Sequence, residues 1–354
     1  MHNKNKSQHQ GILKSIFYTM LLVLASACDK APKSSQVKPE TADSLATGYF
    51  ICNEGNFQWN NASMSFYNTA KKVLYEDVYK AINNKSLGDV LQSMVIYNNM
   101  MYAVLNNSGK IEMMNPKTFA SSGTITGLRS PRYFLGINPN KAYVSDLYDN
   151  QIAVLDLQQK KVVGKIPCKG WTEEMLLVGS RVFVCNKTSE YLYIVNGISD
   201  QISDSIAIGF GSSCILTDAQ NRIWILTSGS TSLSIPPQLY VINPQTLGII
   251  SSFNFPMLAK PLKLITNTNK TKLYWINNQV YSMNTDATQL PTSAWINTGN
   301  RNLYALGYHH ANAEILVGDA KDFVQRSEIL RYDTTGNLLG SYSAGINASS
   351  FLNR

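Results

Sequence analysis

Charge is scarce in this chain. Only 15% of its 354 residues are Asp, Glu, Lys or Arg, against about 25% in an average domain. The Lys and Arg are scattered. The formal charge of +8 drops by three, to +5, once Lys4, Lys6 and Lys14 are set aside with the N-terminal leader. Nucleic-acid binding needs a dense basic face, so no nucleic-acid partner is expected. Histidine is scarcer still: of four, only the adjacent His309 and His310 lie beyond the leader. Neighbours on a strand project to opposite faces and make a poor chelate. Haem, zinc and His-based triads are therefore disfavoured, and neither a metal site nor a catalytic residue is expected. The five cysteines show no CxxC or other ligand spacing. Cys52, Cys168, Cys185 and Cys214 read as small buried apolar residues on strands, with one bridge, Cys185 to Cys214, left open between neighbouring modules. No helical periodicity interrupts the chain.

What is present instead is neutral and β-forming. Hydrophobic residues make up 44% and there are 19 tyrosines, enough for a globular body. At the front, Lys4, Lys6 and Lys14 precede an apolar run, Ile16–Ala25, and then Ser26-Ala27-Cys28. The run is short for a membrane span. A basic region, a short apolar core and small residues before a Cys describe a lipoprotein signal segment over 1–27, with Cys28 as the lipidated residue and a lipid anchor as the consequence. The pattern resembles a lipobox, with Ala25 where Leu is commonest. Residues 28–47 lack periodicity and read as a flexible tether. Within them, Asp43-Ser44-Leu45 resembles an acidic–hydroxyl–aliphatic O-glycosylation site; an ordinary linker tripeptide is the alternative.

From residue 48 on, one unit recurs. In Lys141–Asp156 two runs, Ala142-Tyr143-Val144 and Ile152–Leu155, flank a polar loop and read as a hairpin. The first run returns around Tyr102, Tyr143, Phe183, Trp224, Tyr274 and Leu316, at spacings of 41, 40, 41, 50 and 42. The second run ends in Asn115, Asp156, Asn196, Asn243, Asn284 and Asp333. An Asx there can bond the following backbone and start a tight turn. One further strand precedes and one follows each unit, so each period of 40 to 50 residues holds four strands. That is the blade pattern of a β-propeller. Six blades are visible after residue 86 and a seventh is split between Tyr49–Tyr75 and the tail Ala348–Leu352. Joining first and last strands in one blade closes the ring and hides its edges. The expected fold is all-β: a seven-bladed propeller over 48–354.

In a propeller, the loop inside each unit and the approach to each inner strand open on one face around the channel, where ligands usually bind. Those positions are Asn53, Glu54, Asn56, Phe57 and Trp59; Gln92, Ser93, Asn106, Asn107 and Ser108; Arg132, Tyr133, Asp146 and Tyr148; Trp171, Thr172, Glu173 and Asn186. Later blades add Ser228, Lys260, Asn277, Tyr304, Asp319 and Asn347. Amides, hydroxyls and aromatics suit a large ligand with many neutral hydrogen-bonding groups. Asn, Ser and Asp are also ordinary turn formers, whereas Trp59 and Trp171 have no evident core role. Glu54, Asp146, Glu173 and Asp319 are the carboxylates on which a structural calcium would have to rest, though turn formation accounts for them more simply.

Several longer runs carry a family resemblance: Gly48–Phe57 (GYFICNEGNF), Leu87–Met94 (LGDVLQSM), Asn106–Glu112 (NNSGKIE), Ser130–Tyr133 (SPRY) and Trp171–Met175 (WTEEM). From Gly48 to the C-terminus the chain resembles the YncE-like propeller lipoproteins of Bacteroidetes, above all the BtuG-type surface cobalamin-binding proteins. The resemblance implies a non-enzymatic outer-surface lipoprotein that captures cobalamin or another corrinoid. It would then pass the ligand to a TonB-dependent outer-membrane transporter. A glycan- or protein-binding scaffold and a propeller lactonase or dehydrogenase are the competing readings.

Overall fold

The computed structural model describes residues 33–35 and 47–354. The expectations for the leader 1–27, for Cys28 and for Asp43-Ser44-Leu45 lie outside the described residues.

Seven sheets surround a common axis. Their innermost strands are Leu91–Tyr97, Pro131–Asn138, Thr172–Val178, Ser212–Thr217, Leu262–Thr266, Leu303–His309 and Ala348–Asn353. Each lies beside the next, and Ala348–Asn353 returns to Leu91–Tyr97, so the ring closes. Blade 1 is the split one: Ala348–Asn353 pairs antiparallel with Gly48–Asn53, from Tyr49↔Asn353 to Asn53↔Ala348. Ser63–Asn68 and Val73–Tyr75 continue it outward, and Lys33–Ser35 adds a parallel fifth strand. Blades 2 to 7 follow in chain order. The seven-bladed expectation therefore holds, including the closure by the tail.

The alternation of side chains along each strand explains why flat sheets stack into a ring. Met101, Ala103 and Leu105 face blade 1, while Tyr102 and Val104 face blade 3. Both faces of a central strand are thus apolar, as a strand buried on two sides requires. Among the described residues the core comprises seven clusters, one in each seam between consecutive blades. Tyr102 of blade 2 stacks on Phe134 of blade 3 with centroids 4.2 Å apart, and Tyr143 donates from blade 3 to Asp200 of blade 4. These recurring aromatics are packing residues.

The Asx positions act through their side chains. Asn115 Oδ1 accepts from the Lys117 and Thr118 amides at 2.8 and 3.1 Å. Asp156, Asn196, Asn243 and Asp333 accept in the same way.

Two features depart from the sequence reading. First, blade 6 has three ladder strands, Leu262–Thr266, Lys272–Asn277 and Gln279–Asn284. The side chain of Asn284 closes no turn like its counterparts. The following residues 285–302 return only as a single bridge, Val280↔Ile296. Second, a six-residue helix, Val78–Asn83, follows blade 1, begun by the Asp77 carboxylate accepting from the Lys80 amide at 3.4 Å. Its Tyr79 is buried and donates to Glu112 of blade 2 at 3.0 Å. The four described cysteines are free and buried, as the sequence reads, and the bridge left open between Cys185 and Cys214 is not formed. Burial pushes the Cys52 and Cys168 thiols up to about 12 and Cys214 to about 11. These thiols remain protonated and behave as small apolar groups. His309 is buried against the Tyr49 ring at 5.2 Å, whereas His310 lies past the strand end, exposed.

Candidate functional site at the channel mouth

The site is built by a repeated backbone irregularity. In all seven innermost strands the pairing with the second strand shifts register immediately after the first residue. A bulge re-aims the side chain it carries. The residues so placed are Gln92, Arg132, Glu173, Ser213, Lys263, Tyr304 and Ser349, and neighbours in this set touch across blade boundaries. Arg132 Nη1 donates to Gln92 Oε1 of the preceding blade. Its Nη2 donates to Glu173 Oε1 of the following blade at 2.8 Å. Lys263 holds its ammonium 5.6 Å from the Tyr304 ring centroid. Tyr304 in turn donates to Glu54 Oε2 at 3.0 Å. The result is a polar ring lining the channel just inside its mouth.

Electrostatics within the ring are uneven. Glu173 is buried with the Arg132 guanidinium as its ion partner, their side chains only 4% and 16% exposed. Arg132 also packs against Trp171, its guanidinium carbon 5.3 Å from the ring. Burial raises the Glu54 carboxyl, opposed by the Lys263 charge and the Tyr304 hydrogen bond. Burial lifts the Glu174 carboxyl further, to about 7, against the hydrogen bond it accepts from the Ile215 amide at 3.1 Å.

The residues anticipated from sequence fall into three groups. Glu54, Gln92, Arg132, Tyr133, Trp171 and Glu173 come together at the mouth. Phe57, Trp59 and Tyr148 stand out from its rim, 61%, 70% and 60% exposed. The remainder is largely taken up in holding blades together. Asn53 is buried, donating to Ser65 Oγ at 3.0 Å and accepting from the Gly345 amide at 3.2 Å. Asp146 accepts from the amides of Ser130, Tyr148 and Asp149 at 2.7, 2.8 and 2.8 Å. Thr172 Oγ1 accepts from the Asp146 amide at 2.8 Å, and the Asn186 amide reaches Ser212 Oγ at 2.8 Å. Asn106 donates to the Pro131 carbonyl at 3.0 Å and Asn107 to Asp89 at 2.6 Å. Glu54, Asp146, Glu173 and Asp319 are not gathered at one point, and among the described residues no three His, Cys, Asp or Glu form a metal-binding group.

Lys263, Ser213, Ser349 and Glu174 were missed, although their signal was available. They sit one or two residues into an inner strand and recur at nearly the period of the central aromatics. The apolar rim also extends further than Phe57 and Trp59: Met257, Leu258, Phe323 and Val324 lie exposed on loops of the same face. Chemically, the mouth offers fixed donors, fixed acceptors and cations surrounded by apolar side chains.

This architecture defines a seven-bladed β-propeller with a polar channel mouth. Residues 47–344 match the family described as a domain of unknown function (DUF5074), and the chain belongs to that family. No match is found among curated proteins. Among solved structures, a quinonprotein alcohol dehydrogenase-like protein from Bacteroides thetaiotaomicron is similar at 14% identity and a TM-score of 0.69, over 87% of this chain and 78% of that one. The periplasmic gluconolactonase of Pseudomonas aeruginosa is similar at 10% identity and a TM-score of 0.66, over 87% and 99%. A protein from Lactobacillus plantarum is similar at 13% identity and a TM-score of 0.64, over 86% and 98%. At such identities the likeness is one of fold.

Proposed function

We propose that this protein is a lipid-anchored, YncE-like surface propeller that binds cobalamin or a related corrinoid across its channel mouth. It releases the ligand to a TonB-dependent outer-membrane transporter and catalyses no reaction. The observation that carries the reading is the pairing of exposed aromatics with a fixed polar ring. Trp59, Phe57 and Tyr148 project from the rim, while Gln92, Arg132, Glu173, Glu54 and Tyr304 are held in place within it. A corrin is a broad apolar macrocycle fringed with amide arms. Its face suits the aromatics, which contribute area at little entropic cost. Its arms suit neutral and charged hydrogen-bonding groups that are already oriented, because preorganisation removes part of the ordering cost. A ligand of that breadth rests on the rim rather than entering the channel.

An absorbance titration with cyanocobalamin tests this directly. Saturable binding that weakens at least tenfold in Trp59→Ala/Tyr148→Ala supports the reading. Both side chains are exposed, so their loss leaves the fold intact. A protein that retains no cobalamin, while retaining oligosaccharides on a glycan array, would instead assign the same aromatic platforms to sugar binding.

A further inference from the structure

Of the seven residues that the bulges turn into the channel, Lys263 differs from the rest in two ways. Its φ is +58°, so it alone of that set is in the left-handed region, a conformation that costs a non-glycine residue about 1 kcal/mol. Its ammonium also lacks a partner. Among the described residues no hydrogen bond joins it and no carboxylate lies within the 4.0 Å of an ion pair, and its one close polar contact is the face of Tyr304. The other channel cation, Arg132, is held by Gln92 and Glu173. A half-buried ammonium in a strained backbone position, with no hydrogen-bonded or ion-paired partner, gains from a ligand group that binds there.

We propose that Lys263 is the anion-recognition residue of the channel and takes one singly charged oxyanion carried by the ligand. Ser349, whose buried hydroxyl lies beside the same Glu54 carboxyl, supplies a second donor. The surroundings limit the charge of what binds. Burial raises the Glu54 and Glu174 carboxyls against the Lys263 charge, and neither carboxylate lies within ion-pair distance of that ammonium among the described residues. A dianion, in contrast, would bring excess negative charge beside both acids. An ammonium offers three donors as a compact point charge, which suits a phosphodiester or a carboxylate equally. The inference rests on the corrinoid reading only for the identity of the carrier. In a complete corrinoid the group would be the phosphodiester of the nucleotide loop, leaving the amide-fringed ring on the aromatic rim.

The test compares the full chain with Lys263→Gln and Lys263→Arg by calorimetry, after equal melting temperatures confirm folding. The first arm uses small probes: dimethyl phosphate, acetate and the neutral trimethyl phosphate. Wild type is expected to bind one or both anions and not the neutral ester. Lys263→Gln should weaken anion binding by about tenfold, the size of one charge-assisted hydrogen bond, and Lys263→Arg should restore it. Binding of dimethyl phosphate against that of acetate separates the two oxyanions. The second arm uses cyanocobalamin and cobinamide, which lacks the phosphodiester. Lys263→Gln should weaken the first about tenfold and leave the second unchanged. Anion binding lost with Lys263 while no corrinoid binds would sustain this inference and overturn the corrinoid reading. Equal anion binding by wild type and Lys263→Gln overturns the inference, even if corrinoids bind tightly.

Discussion

Tyr304 donates its phenolic hydrogen to Glu54 Oε2 at 3.0 Å, linking the innermost strand of blade 7 to the loop that leaves the second strand of blade 1. The bond favours ionised Glu54, working against burial. Tyr304→Phe is therefore expected to raise the Glu54 titration midpoint and to lower stability by about 1 kcal/mol. In a Glu54→Gln background the same change should cost less. Denaturant melts of the two single variants and the double variant measure that coupling.

The Arg132–Glu173 pair behaves differently because both partners are largely out of water. Glu173→Gln leaves the guanidinium without its counter-charge, and a loss of about 3 kcal/mol follows. Replacing both residues by apolar ones of similar volume should recover much of it. A double variant no more stable than Glu173→Gln would mean that the guanidinium is stabilised by other contacts.

Glu174 makes stability depend on pH. Burial raises its carboxyl from the ordinary 4.5 to about 7. In that interval the folded protein holds a proton that the unfolded chain has released, so stability from this group is full below about 4.5 and falls as pH rises to about 7. Unfolding measured across that window should show the decline in wild type, and Glu174→Gln should flatten it.

Gly307 sits where blade 7 meets the closing strand. A Cβ there would lie 2.7 Å from Phe351 Cδ2 and 2.9 Å from its Cβ. Gly307→Ala is expected to cost about 1–3 kcal/mol through overpacking. Phe351→Ala in the same chain should remove most of that penalty, which thermal melts of the pair would show.

The strands, their order and the joining of the two ends were legible because each depends on local alternation and on a period that repeats. Tyr102, Tyr143 and Phe183 mark central strands by type and spacing alone. The helix Val78–Asn83 was not legible: six residues give too little periodicity to register, and tertiary contact through Tyr79 holds it. The missing outer strand of blade 6 was hidden because Asn284 looks like the other Asx residues, yet its side chain closes no turn. At the mouth, Glu54, Gln92, Arg132 and Glu173 were legible as loop-proximal polar residues. Lys263 was overlooked, since a single Lys does not announce a left-handed bulge and its signal lies only in its place one residue into an inner strand. The bulge becomes visible only when the inner strands are set beside one another.

The place where the chain enters the ring has a mechanical consequence. Gly48–Asn53 is flanked on one side by Ser63–Asn68 and on the other by Ala348–Asn353. Force applied at Gly48 therefore loads two hydrogen-bonded ladders together. An edge strand would present only one and could be peeled away bond by bond. A ring closed this way resists being drawn open by a pull on that strand.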